Sequence, residues 1–383
     1  MRPLLTHRYR KLELRKALLD RHLVELTPTT DSSVAHWSIH RSVKRSLLFK
    51  LDQDFERKQR MFRNAVDMVR RVTPKQSQYS SPSNQDWPIY ERYLNHLLSL
   101  NTVYISELVP TSDSPQAISS LEPCMEFIEL LSDFGNYMWE RNLISGALEL
   151  LDTAEKQCRE LLPEDNTNPT YTQVLYVTAS IELNQGSIKR REGLMHKKQI
   201  RDRRQRRYDS FPKDQVPEVD ALQLSTAINN FGAAYLHCDD YSAAQPLLED
   251  ALRIKALYGN EHTAHLLTGF AEGYKNLAFV AMFNGDTEKA LSLSKKAIDN
   301  LIASPKWGPR TRIALLHRYL RACHLFNAGK EDDALLEHLD VLRIRQDVLG
   351  KKHDHTLDSQ YAVGYLYSKT GDHEKAEYVL LVL

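Results

Sequence analysis

The chain is poor in the residues that make turns and cross-links: its 383 residues hold 14 Gly, 15 Pro and 4 Cys. An all-β fold needs frequent turns, so this composition counts against one. The cysteines, Cys124, Cys158, Cys238 and Cys323, stand far apart with no C-x-x-C pair. That removes the usual zinc and redox spacings and any disulfide framework. Cys158 and Cys323 fall within helical patterns and read as packed thiols. An excess of charge is also missing, with Lys+Arg 51 against Asp+Glu 50. No global field calls for an acidic or nucleic-acid partner. No apolar run reaches membrane-spanning length, and the first residues carry Arg8, Arg10, Lys11 and Arg15 in place of a signal-peptide core. A cytoplasmic setting is expected, with the nucleus as the alternative. G-x-x-x-x-G-K-[ST], H-E-x-x-H, a nucleophile elbow and a paired-carboxylate signature are all lacking. The expectation is a non-enzyme with no cofactor, no metal, no small-molecule substrate and no membrane association.

What the chain does have is a motif returning about every 42 to 53 residues. Its small residues are Gly135, Ala179, Gly232, Ala278, Ala322 and Gly364. Twelve residues after five of them comes a second small residue: Ala147, Ala244, Ala290, Ala334 and Ala376. Two small residues so spaced suit antiparallel helices that cross closely. The second unit departs from the rule, with Arg191 in the partner slot. The reading is an all-α helical-hairpin solenoid of about six units over residues 119–383, the last one cut short. Stacked repeats make an extended binding surface rather than a pocket for chemistry.

The first third differs. Helical spacing over Leu12–Arg21 gives way to a strand at His22–Leu26, a turn cluster at Thr27–Ser33, a return strand at Val34–His40 and a helix over Arg41–Leu51, begun by Ser38 or His40. Residues 1–51 thus read as a partial winged-helix module with a short β-hairpin. Residues 52–118 read as a helical linker domain: an amphipathic helix over Phe55–Val72 stopped by Thr73-Pro74, a polar loop over Lys75–Pro88, and a helix over Tyr90–Leu108.

Gly or Ala, Tyr three residues on, and a small residue twelve on resembles the tetratricopeptide repeat (TPR). The joining segment Leu342-Arg343-Ile344-Arg345-Gln346-Asp347-Val348-Leu349-Gly350 and its looser copy Leu252-Arg253-Ile254-Lys255-Ala256-Leu257-Tyr258-Gly259 resemble repeats of the kinesin-light-chain type. Trp37-Ser38-Ile39-His40-Arg41-Ser42-Val43 and Trp87-Pro88-Ile89-Tyr90-Glu91-Arg92-Tyr93 resemble the segments that precede such repeats in fungal NLR-like (STAND) proteins. The resemblance implies a protein–protein scaffold or ligand-sensing module, the half of an NLR-like signalling protein that lacks its ATPase. It also leaves a cargo-adaptor role as an alternative.

Counting from each small residue places Asn229, Asn230, Lys275, Asn276, Phe279, Tyr319, Tyr361, Tyr365 and Lys369 on the groove side of the first helices. There, amides could pair with an extended peptide and aromatics could give it contact area. Phe279 and Tyr365 stand where the carboxylate clamp of chaperone-binding TPRs needs Asn, which disfavours chaperone tails. The basic run of Lys189, Arg190, Arg191, Lys197, Lys198, Arg201, Arg203, Arg204, Arg206 and Arg207 reads first as a solvated helix. Nuclear import and nucleic-acid contact are its alternatives. His353, Asp354 and His355 hint at a metal, but His262 recurs in the same slot as His353, which favours a helix cap or an inter-repeat hydrogen bond.

Overall fold

Two helices frame a hairpin at the start of the chain: α1 (Arg8–Asp20), β1 (Val24–Pro28), β2 (Ala35–Ile39) and α2 (Arg41–Asp52). This is a computed structural model that describes residues 8–28, 35–75, 84–108, 121–162, 168–184, 187–304 and 307–381. The strands pair antiparallel, with Val24 opposite Ile39 and Leu26 opposite Trp37. The first strand begins two residues later than its sequence suggests, because His22 sits in a left-handed turn at φ 50°. Most of the expected turn cluster, residues 29–33, lies outside the described residues. His40 begins α2 by accepting a hydrogen bond from the Ser42 amide. Helices α3 (Phe55–Val72) and α4 (Trp87–Leu108) follow.

The chain forms two compact units, one of residues 1–68 and 106–122, the other of residues 69–105 and 123–383. The segment expected as a linker therefore contributes to both. In the first unit the Lys58 ammonium lies between Asp52 at 2.6 Å and Glu107 at 2.5 Å.

The second unit holds six antiparallel hairpins: α5 (Met125–Glu140) with α6 (Ile144–Leu161), α7 (Pro169–Glu182) with α8 (Ser187–Asp209), α9 (Glu218–His237) with α10 (Tyr241–Ala256), α11 (Leu267–Phe283) with α12 (Thr287–Ala303), α13 (Arg312–Asn327) with α14 (Glu331–Val348), and α15 (Asp354–Lys369) with α16 (His373–Leu381). Sixteen helices and two short strands make the described residues all-α in class. The small residues sit at the crossings: Ala147, Ala179, Ala244, Ala278, Ala290, Ala322 and Ala334 are fully buried. A Cβ on Gly232 would lie 2.9 Å from Leu248. Seven residues after the small residue the chain turns back through a left-handed conformation. Gly285, Gly329 and Gly371 supply it in three units, and Asn142 and Asp239 in two. Asp240, Asp286 and Asp372 then accept the first free amides of the returning helices.

The second hairpin, α7 with α8, keeps the close crossing after all. Its small partner is Gly193, fourteen residues after Ala179, and Arg191 lies exposed. The slot lies two residues further along than in the other hairpins. A Cβ on Gly193 would meet the Ala179 carbonyl oxygen at 2.8 Å and the Leu183 amide nitrogen at 3.1 Å. Backbone cannot rotate away as a side chain can. Gly193→Val should therefore cost about 3 kcal/mol in urea denaturation. Gly364→Val should cost clearly less, because it meets only the half-exposed side chain of Leu380. Equal losses at the two sites would contradict this account.

The joining segments bury a cation each. Arg345 is 1% exposed and donates to the His355 carbonyl and, at 2.8 Å, to Ser359 Oγ. Lys255 donates to Ser225 Oγ at 2.8 Å, and Gly269 leaves room for its stem, since a Cβ there would lie 2.3 Å from Lys255 Cε. Burial lowers the Arg345 guanidinium to about 10 and the Lys255 ammonium to about 8.

Candidate functional site

The residues expected along the groove fall into two sets. Asn229 and Asn276 are buried and satisfy one another, Asn276 Nδ2 donating to Asn229 Oδ1 at 3.3 Å. Asn230 beside them is half-buried. Lys275 pairs with Glu272 at 2.6 Å, and His317 Nε2 donates to the same carboxylate at 3.1 Å. Burial alone would raise the Glu272 carboxyl, but Lys275 and His317 outweigh it and hold it well below the usual range. Burial lowers His317 in turn, so a neutral ring donates to the carboxylate. Phe279 packs against the edge of His324, and Tyr319 lies between His338 and Arg345. The Asn229–Asn276, Glu272–His317 and Phe279–His324 contacts tie neighbouring first helices together, whereas Tyr319 packs on α14 of its own hairpin. Tyr361, Tyr365 and Lys369 form the second set, all exposed on α15, with the Lys369 ammonium 5.7 Å from the Tyr365 ring centre.

The basic run is only partly solvated. Lys197 and Arg204 are buried, and Arg190, Arg201 and Arg203 are half-buried. The Lys197 ammonium sits 3.5 Å from the Tyr176 ring centre and donates to the Tyr176 carbonyl and to Ser180 Oγ. Burial pushes it well below its ordinary value. Arg201 lies over Phe231, Arg203 over Tyr171 and Arg207 over Phe211. Lys189, Arg191, Lys198, Arg206 and Arg207 remain exposed. Half of the run's charge therefore serves packing between α7, α8 and α9.

Two further features lie beyond what sequence spacing suggested. The first joins residues far apart in the chain. At the end of α5, the Glu140 carboxylate takes a two-pronged contact from Arg312, with Nη2 donating to Oε1 at 2.5 Å and Nε facing Oε2. His353 caps α15 by accepting from the His355 amide and donates Nε2 to the Glu140 carbonyl at 3.1 Å. Asn142 Nδ2 donates to Asp354, and the Trp87 ring stacks on His353. The first hairpin thus meets the fifth and sixth. His353 plays the capping role its recurrence implied, whereas His262 is exposed and its amide donates to Asn260.

The second feature is a pocket of about 90 Å³ between the first helices of the first two hairpins, within the second compact unit. Glu129, Ser132 and Asp133 line it from α5, Pro169, Thr170 and Gln173 from the start of α7, and Lys75 from the chain before α4. The slots counted in the later units reach Ser132 and Asp133 from Gly135, but Glu129 and Gln173 lie six residues before their small residues, outside those slots. Among the described residues no three His, Cys, Asp or Glu side chains gather as metal ligands, and no helix is long and apolar enough to cross a membrane.

The tetratricopeptide repeat family matches residues 224–264, which span α9, α10 and the join that follows. These residues form a tetratricopeptide repeat. The other hairpins share its close crossing, so the array is a solenoid of TPR-like helical hairpins. No curated relative matches the sequence. Among solved structures, the nearly identical TPR-like repeats assigned to a Podosopora anserina kinesin light chain are 16% identical, covering 56% of this chain and 94% of that one at a TM-score of 0.41. NprR in complex with its cognate peptide NprX is 15% identical, covering 76% and 75% at 0.46. A STAND protein with a tetratricopeptide repeat sensor from Pyrococcus horikoshii is 14% identical, covering 96% and 56% at 0.40.

Proposed function

We propose that the chain is a non-catalytic scaffold that recognises a polypeptide along the open sides of its first helices, serving as the ligand-sensing part of an NLR-like signalling protein. One observation carries the reading. Across units three to six the counted slots bear Tyr361, Tyr365 and Lys369, which are exposed, and Asn230, Lys275, Phe279 and Tyr319, which keep part of their surface open while the last three also pack within the array. Such a row suits an extended ligand, which needs donors, acceptors and rigid aromatic contacts in series. A nucleic-acid role through the basic run is disfavoured, since Lys197, Arg201, Arg203 and Arg207 lie against aromatic rings of the array itself.

The test is site-specific photocrosslinking of the full chain in host lysate. A photoreactive phenylalanine at Tyr361 or Tyr365 should capture one protein, whereas the same group at Lys295, exposed on the second-helix side in α12, should not. Competition with total RNA should leave the captured band unchanged. Capture from Lys295 alone, or loss of the band with RNA, would refute the reading.

A further inference from the structure

The pocket between the first two hairpins holds two carboxylates that are not equivalent. Asp133 is buried and fixed. Arg70 Nη1 reaches its Oδ2 at 2.7 Å, while Arg70 Nη2 is held by the carbonyls of Thr73 at 3.1 Å and Pro74 at 2.8 Å. That cation is braced by backbone and cannot leave cheaply. Glu129 is matched differently. Its Oε1 takes a 2.7 Å contact from Lys75, whose side chain is 66% exposed. An ion pair with so exposed a partner contributes little and exchanges readily. Ser132, one turn along α5 from Glu129, is 2% exposed and among the residues lining the pocket, and its buried hydroxyl has no hydrogen-bond partner among the described residues. A buried hydroxyl left unpaired is costly, which marks a place where a ligand atom completes the structure. A space of 90 Å³ takes a group of several heavy atoms, well beyond one water.

We infer that this pocket receives an arginine side chain of the polypeptide partner, with Lys75 standing in for it in the free protein. The inference rests on the scaffold reading and names the chemistry at one end of the site. A planar guanidinium can address the Glu129 carboxylate with two nitrogens and the Ser132 hydroxyl with the third. The Lys75 ammonium, one point charge on a flexible stem, satisfies Glu129 and leaves Ser132 unpaired. Arginine entry therefore replaces one contact with three. The charge balance also favours a cation: once Lys75 swings out, Asp133 stays neutralised by Arg70 and Glu129 is the open charge.

The probe is the peptide acetyl-Gly-Arg-Gly-amide, titrated into the full chain by calorimetry and by amide shifts at Ser132. Its citrulline counterpart has the same shape without the charge. The arginine peptide should bind and shift Ser132, and the citrulline peptide should bind at least tenfold more weakly. Glu129→Gln should lose tenfold or more, and Ser132→Ala severalfold. Lys75→Met, at an exposed site that leaves the fold intact, should bind threefold or more tightly. Equal binding of the two peptides, or no gain from Lys75→Met, would overturn the inference. A partner captured at Tyr365 while the arginine peptide ignores the pocket would refute this assignment and leave the scaffold reading standing.

Discussion

Replacing Arg312 with Ala should destabilise the array by about 3–5 kcal/mol, the cost of leaving a buried charge without its partner. The Glu140 side chain is 1% exposed and that of Arg312 14% exposed. Both charges sit at the unfavourable ends of their own helices. Glu140 closes α5, where the helix dipole is already negative, and Arg312 opens α13, where it is positive. Neither residue helps its own helix, so their stabilisation comes from each other, across 172 residues of chain. Arg312 Nη1 also donates to His355 Nε2 at 3.2 Å, which links the pair to the α15 cap. The double variant Glu140→Leu with Arg312→Met should recover most of the loss, because it removes both desolvation costs together. Urea denaturation of the two single variants and the double variant closes the cycle. A loss below about 1 kcal/mol for Arg312→Ala would show that water reaches the pair and that the first and fifth hairpins are not fastened there.

The same pair shows what the sequence could and could not reveal. The crossings were legible because close approach of two helices leaves no room for a side chain, and that demand repeats at fixed spacing. Gly193 escaped because its slot lies fourteen rather than twelve residues after the first small residue, with the same demand for close approach. Within the groove, slot counting identified one side of each first helix but not how closely successive helices approach. Asn229 and Asn276, expected to face a ligand, instead satisfy each other. Glu140 and Arg312 leave a weak local trace, a charge at the wrong end of a helix, and no local pattern pairs them. The basic run was legible as charge alone. Which of its residues lie on aromatic rings depends on α7 and α9, contributed from either side in the chain.

Between pH 7 and pH 5 the fifth unit should lose roughly 4 kcal/mol of stability through two buried histidines. His324 packs against the edge of Phe279, and burial lowers it to about 4. His338 lies against Tyr319 with Cys323 4.0 Å away, and burial, with Arg345 adding to it, lowers it likewise to about 4. In the unfolded chain both titrate near their ordinary 6.5. The sign follows directly. Above 6.5 both states hold neutral rings and nothing is lost; as pH falls towards 4 the unfolded chain takes up protons that the folded one refuses, and folding weakens. At pH 5 each ring contributes about 2 kcal/mol to the loss. Burial also lowers His317 and His353, which adds to the effect. His196 opposes it, because its hydrogen bond to Glu182 raises the ring and rewards protonation. Carboxylates titrate mostly below pH 5, so this window isolates the histidines. The melting temperature should fall by about 10 °C between pH 7 and pH 5. Because a repeat array unfolds in local steps, hydrogen exchange should rise first in α13 and α14. The variant His324→Leu with His338→Leu keeps the apolar contacts and removes both sites, so its melting temperature should vary much less over the same window. If the double variant retains the full shift, the acid sensitivity arises elsewhere, and the closing cluster of His353, Glu140 and Arg312 becomes the place to look.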